Sequence, residues 1–132
     1  MNTGNIFEGA EVIHSYSRGE AIADGVLVEL DAGLCKEAGI KFPVAVTARV
    51  HGECIALTKA AKRACNDVKG RTWDVAYMLA TAVKRGARGQ VITFQVYVVR
   101  SRVRPTLTTL KAVCGPGDNG EPVITIMFPE EG

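Results

Sequence analysis

Gln90-Val91-Ile92-Thr93-Phe94-Gln95-Val96-Tyr97-Val98-Val99 places Ile92, Phe94, Val96 and Val98 on one face and Val91, Thr93, Gln95, Tyr97 and Val99 on the other. Branched and aromatic residues at a period of two predict a β-strand with one face turned to a core. Two further runs of this kind follow, Thr106 to Cys114 and Val123 to Phe128. The stretch between them, Gly115-Pro116-Gly117-Asp118-Asn119-Gly120-Glu121-Pro122, has the glycines and prolines of a wide hairpin loop. The C-terminal part therefore reads as a three-stranded antiparallel meander.

Upstream the period changes. Ser17-Arg18-Gly19-Glu20 is a capping box opening a short helix to Asp24, which Gly25 stops. Val26-Leu27-Val28-Glu29-Leu30 has the branched character of a strand or a buried linker, and Asp31 is placed to cap a second short helix ending at Gly39. Pro43 disfavours helix at Phe42. Beyond it Val46, Val50, Cys54, Leu57, Ala61 and Cys65 recur at steps of three and four, the stripe of a long amphipathic helix over about 47–65. Thr72 is placed to cap a second long helix running to about Arg85, with Val75, Leu79, Ala82 and Val83 inward.

The resulting expectation is an α+β fold. N-terminal helices, two of them long, pack on a C-terminal three-stranded antiparallel meander that N-terminal strands would extend. Residues 1–11, with two glycines and little periodicity, read as a flexible leader. Residues 12–132 read as a single domain, since 132 residues with 47% hydrophobic and 23% charged side chains suffice for one core. The polar, acidic start lacks a signal-peptide layout and no run is long enough to span a bilayer, so a cytoplasmic protein without a membrane partner is expected. Cys35, Cys54, Cys65 and Cys114, scattered through helix and strand patterns, fit reduced and mostly buried thiols better than two disulfides.

These segments resemble a family of uncharacterised bacterial proteins, often carried by phages and plasmids and known only as a domain of unknown function. The blocks that carry the resemblance are Tyr16-Ser17-Arg18 with Ala21-Ile22-Ala23-Asp24-Gly25-Val26-Leu27-Val28, and Ala38-Gly39-Ile40-Lys41-Phe42-Pro43-Val44-Ala45. Trp73-Asp74-Val75 and 115–127 complete them. One departure is His51, where the family favours tryptophan. The resemblance implies a mobile-element or prokaryotic cytosolic setting, in which small proteins act by binding, some as inhibitors of host defences such as CRISPR systems.

Charge is unevenly distributed along the chain. Residues 1–58 carry 4 basic and 8 acidic groups, residues 59–111 carry 12 basic groups against Asp67 and Asp74, and residues 112–132 carry 4 acidic groups and no basic ones. A cationic middle is a footprint for phosphate backbones. Lys59, Lys62, Arg63, Lys84, Arg85 and Arg88, with Arg100, Arg102 and Arg104 alternating beside Pro105, are the candidate basic patch. The competing account is a solvated surface paired with the acidic ends. Trp73 and Tyr77 share a helical face with Ala80 and Lys84, either an aromatic anchor for bases or a partner, or a second buried face.

Sites for chemistry are sparse. His51 and Cys54 lie three apart, but no CxxC or HExxH spacing completes a metal site, and His14 is the only other histidine. The 115–122 loop lacks the lysine and hydroxyl ending of a phosphate cradle, and Asp118 with Glu121 is too small a carboxylate set to define a cation site. The expectation is therefore a non-enzymatic binding protein of a mobile element without catalytic residues, metal or cofactor. Its partner would be nucleic acid or a host nucleoprotein complex, in the anti-CRISPR manner. The alternative is a structural or self-assembling module, a homodimer among its forms, pairing through Val123–Phe128 as an apolar edge strand.

Overall fold

The alternation at 90–99 is realised as an edge of a larger sheet than the sequence suggests. In the computed structural model, which describes residues 16–86 and 88–132, five strands are present. They are β1 (Leu27–Glu29), β2 (Val44–Thr47), β3 (Val91–Val98), β4 (Thr106–Pro116) and β5 (Pro122–Met127). Their order in the sheet is β1-β2-β5-β4-β3. The pairs β3–β4 and β4–β5 are antiparallel, setting Phe94 opposite Leu110 and Ala112 opposite Ile126. β2 joins β5 in parallel, with Val44 beside Ile124, and β1 closes that side antiparallel to β2. The leader at 1–11, Val12 and His14 lie outside the described residues.

The fold remains α+β, but two long helices on a three-stranded meander is not its architecture. The sheet is five-stranded and mixed, and the meander is one part of it. β2 escapes sequence reading because Val44, Ala45 and Val46 are all buried, so the strand has no polar face to alternate with. β5 lies between β2 and β4. Val123–Phe128 is therefore not an edge strand, and both its sides are already paired within the sheet, which removes it as a surface for self-assembly.

The helices differ as well. α1 (Arg18–Ala23) carries the anticipated capping box of Ser17 and Glu20, and α2 (Ala32–Ala38) is capped by Asp31 and closed by left-handed Gly39. The single helix expected over 47–65 is broken. Thr47 ends β2 and caps α3 (Ala48–Val50), which passes into a π turn at His51–Ile55. Ala56 is extended, and Thr58 caps a separate α4 (Lys59–Arg63). Each threonine holds extended backbone and accepts an amide three residues on, Val50 N at 3.2 Å and Ala61 N at 3.0 Å, so each starts a helix where a continuous one would need its interior. Val46, Val50, Cys54 and Ala61 are nonetheless buried. Leu57 is half-buried, and Cys65, expected both in the stripe and among the buried thiols, is exposed. The spacing thus reports inward-facing side chains as far as Ala61, which the backbone reaches by strand, π turn and two short helices.

α5 (Val68–Lys84) is the one long helix among the described residues, and it starts earlier than expected. Asp67 is its cap, accepting from Gly70 N at 2.7 Å, while Thr72 sits inside and donates its hydroxyl to the Val68 carbonyl. Val75, Ala76 and Leu79 on α5 share one core with Ile92, Phe94, Val96, Leu110, Ala112, Ile124 and Ile126 of the sheet. Full burial of each large aliphatic side chain is worth roughly 1.5–3 kcal/mol. Val83, expected inward, is exposed.

After α4 the chain turns through Cys65 at φ 62°, with Asn66 N bonded to the Ala61 carbonyl and Cys65 N to that of Lys62. That turn favours glycine, because a Cβ strains left-handed backbone. Cys65→Gly is expected to raise stability by about 0.5–1 kcal/mol, the relief of strain exceeding the added chain entropy of the unfolded state, as read from urea midpoints.

Candidate functional site

Arg71, in the first turns of α5, is buried at 5% exposure. Its Nε donates to the Ile55 carbonyl (3.1 Å) and Nη2 to the Glu53 carbonyl (3.0 Å), while Nη1 donates to the Val99 carbonyl (2.9 Å) and to Asn66 Oδ1 (3.1 Å). The final carbonyls of a helical turn have no partner within it, and a planar guanidinium with five donors can serve several at once. One side chain thus fastens the end of the π turn, the α4–α5 connection and the exit of β3. Burial lowers the Arg71 pKa from its usual value, and the same burial raises the adjacent Cys54 thiol to about 11, which keeps it protonated at neutral pH.

Arg71 holds the 99–105 loop beside α4, and Thr58 completes the join. Its Oγ accepts from Ala61 N as the cap of α4 and donates to the Arg100 carbonyl at 3.1 Å. Between the two elements lies an open groove of about 670 Å³ whose lining includes Glu53, Thr58, Lys59, Arg100, Ser101 and Arg102. Glu53 pairs with Arg100 and with Arg49 Nε (3.1 Å), and Arg49 reaches Glu130 (2.7 Å). Both guanidiniums lie against the Phe128 ring, 4.1 Å from its centroid for Arg49 and 5.2 Å for Arg100. Desolvation pushes the Glu53 carboxyl up, but the hydrogen bonds from Arg100 and Arg49 outweigh it and hold the group below its ordinary value.

The nine basic residues singled out from the sequence fall into two clusters. Lys59, Lys62 and Arg63 on α4 and Arg100, Arg102 and Arg104 after β3 gather at one end of the molecule, joined by the Thr58–Arg100 bond. Lys84, Arg85 and Arg88 lie at the other end of α5, a helix about 25 Å long at 1.5 Å per residue. Arg100 is half-buried in its ion pair, whereas the other eight are exposed. Trp73 and Tyr77 stack on α5, with ring centroids 5.7 Å apart and planes at 20°. Trp73 packs against the core and Tyr77 is exposed.

The weaker candidates have structural duties. Asp118 accepts from the amides of Arg18 and Gly19, both at 2.9 Å, anchoring α1 to the hairpin, and Glu121 accepts from Asn119 N at 2.9 Å within the same loop. Cys54 is in the core, and among the described residues no group of three or more His, Cys, Asp or Glu side chains could hold a metal ion. Among the described residues no helix is long and apolar enough to cross a membrane. Sequence reasoning missed Arg49, Glu53, Arg71 and Phe128, because their partners are distant in the chain. The one local signal was Arg49 and Glu53 four apart, an ion-pair spacing that survives the π turn.

The chain belongs to a family of unknown function, DUF6573, whose model matches residues 1–132. No curated protein and no solved structure matches it.

A carboxylate held below its ordinary value contributes stability that is fully present above its unfolded value, near 4.3, and is lost as pH falls through the folded one. Glu53→Gln is expected to flatten the acid limb of the stability curve. Urea midpoints from pH 7 to pH 3 should converge for wild type and variant at the low end.

Proposed function

We propose that this member of the family is a non-enzymatic binding protein that takes a nucleic-acid backbone into the groove between α4 and the 99–105 loop. The observation that carries the reading is the meeting of two basic segments in one concave surface. Lys59 from α4 and Arg102 from the loop line the same groove, although 42 residues separate their neighbours Thr58 and Arg100. Lys62, Arg63 and Arg104 are exposed on the elements that form its walls.

The groove treats its charges unequally. Arg100 is matched by Glu53, so its role is to hold the loop, while Lys59, Lys62, Arg63, Arg102 and Arg104 make no ion pair among the described residues. Cations held on two fixed elements release condensed counterions when phosphates replace them, which supplies affinity without base recognition. Tyr77, exposed and stacked on Trp73, is an aromatic surface elsewhere on α5 that suits a base or a protein side chain. A phage- or plasmid-borne protein that occupies the nucleic-acid channel of a host defence complex would have the same surface chemistry, and this is the biological setting in which the reading is cast.

Polarisation titrations of labelled single- and double-stranded DNA and RNA across salt test the proposal. Wild type should show a linear fall of log affinity with log salt. Lys59→Ala/Arg102→Ala should weaken binding to all sequences alike and reduce the slope by roughly 1.4–1.8, whereas Arg85→Ala at the far end of α5 should leave it nearly unchanged. Absence of salt-dependent binding to every one of these polymers would remove the nucleic-acid reading.

A further inference from the structure

The opposite end of α5 carries a cleft of different character. The turn after α2 (39–42), the last turns of α5 and the inner face of the sheet enclose about 300 Å³, with walls that include Ile40, Leu79, Ala80, Ile92, Cys114 and Ile124. The backbone donors that line it are largely committed. Gly39 N and Ile40 N bond to carbonyls of Lys36 and Cys35, Cys114 N to Gln90 and Ile124 N to Pro43. The interior therefore offers a guest dispersion and burial rather than hydrogen bonds.

The mouth is different. Lys41 and Lys84 line the cleft from α2's turn and from the end of α5, and neither makes an ion pair among the described residues. Phe42 and Val83, the apolar residues beside them, remain 49% and 43% exposed. Exposed apolar side chains at the rim of an apolar cleft mark a binding surface. Two ammonium groups there complement an anion and repel a cation. We propose that this cleft binds a small amphiphile, an unbranched hydrocarbon chain of medium length bearing a terminal carboxylate. The chain lies along Leu79, Ile92 and Ile124, and the carboxylate sits between Lys41 and Lys84.

The site is at the far end of α5 from the basic groove and shares no residue with it, so it stands or falls independently of nucleic-acid binding. The test is titration of the full chain, below micelle-forming concentrations, with decanoate, decanol and decyltrimethylammonium, followed by amide NMR shifts. Decanoate should saturate and shift amides at 39–42, 79–84 and 114. Decanol should bind about tenfold more weakly, and the ammonium compound more weakly still. Lys41→Glu/Lys84→Glu changes two exposed side chains and should keep the fold. It should bring decanoate below decanol and lift the ammonium compound above it, while leaving decanol itself unchanged. Shifts scattered over the surface, no saturation with decanoate, or equal binding of all three compounds would overturn the assignment.

Discussion

A buried guanidinium organises this molecule. Arg71 gives its donors to three main-chain carbonyls and one side-chain amide drawn from the π turn, the α4–α5 connection and the end of β3. Without it the Ile55 and Val99 carbonyls would be buried orphans, each costing about 1–3 kcal/mol, and the half-buried Glu53 carbonyl would lose its partner as well. The π turn gives way to extended backbone at Ala56, so its last carbonyls have no following helical turn to supply their donors. Their tolerance in the fold depends on a donor arriving from outside, and α5 delivers one by burying its Val75, Ala76 and Leu79 stripe on the sheet. Packing of the helix and satisfaction of the turn are thus one event. A lysine would supply donors without the planar fork that reaches separate acceptors at fixed angles.

Electrostatics follow from the same arrangement. Along the chain, residues 59–111 read as an almost unbroken cationic run. In the fold Arg71 is consumed internally and Arg100 is neutralised by Glu53, a residue from the acidic first half. Arg49 and Glu130 extend that pairing, with Phe128 beneath both guanidiniums. Lys59, Lys62, Arg63, Arg102 and Arg104 stand about the groove, while Lys84 and Arg85 stand beside the apolar cleft, about a helix length away. A tally along the sequence merges surfaces that a partner would meet separately.

Legibility in the sequence followed local physics. β3 was plain because one face is buried and the other is solvated, giving the pattern buried at Ile92, Phe94, Val96 and Val98. The caps at Ser17 and Asp31 were plain because a capping hydrogen bond spans three residues. β2 was hidden, since it is buried on both sides and its parallel partner β5 lies far along the chain. The broken helix at 47–65 was hidden for a subtler reason. Inward-facing spacing of three and four survives a π turn and an extended link as far as Ala61 and fails at exposed Cys65, so most of the stripe was real while the helix was not. Of the site, the exposed cations were legible as residue types. Their division into two ends, and the Arg49, Glu53, Arg71 and Phe128 framework, come only from tertiary contact.

Amide hydrogen exchange on Arg71→Met isolates the role of the guanidinium, because methionine keeps much of the buried volume and removes every donor. Amides of 53–66 and 99–105 should lose protection together while those of β2, β4 and β5 keep theirs. Loss of protection spread evenly over the sheet, or none at the π turn and the loop, would contradict that role.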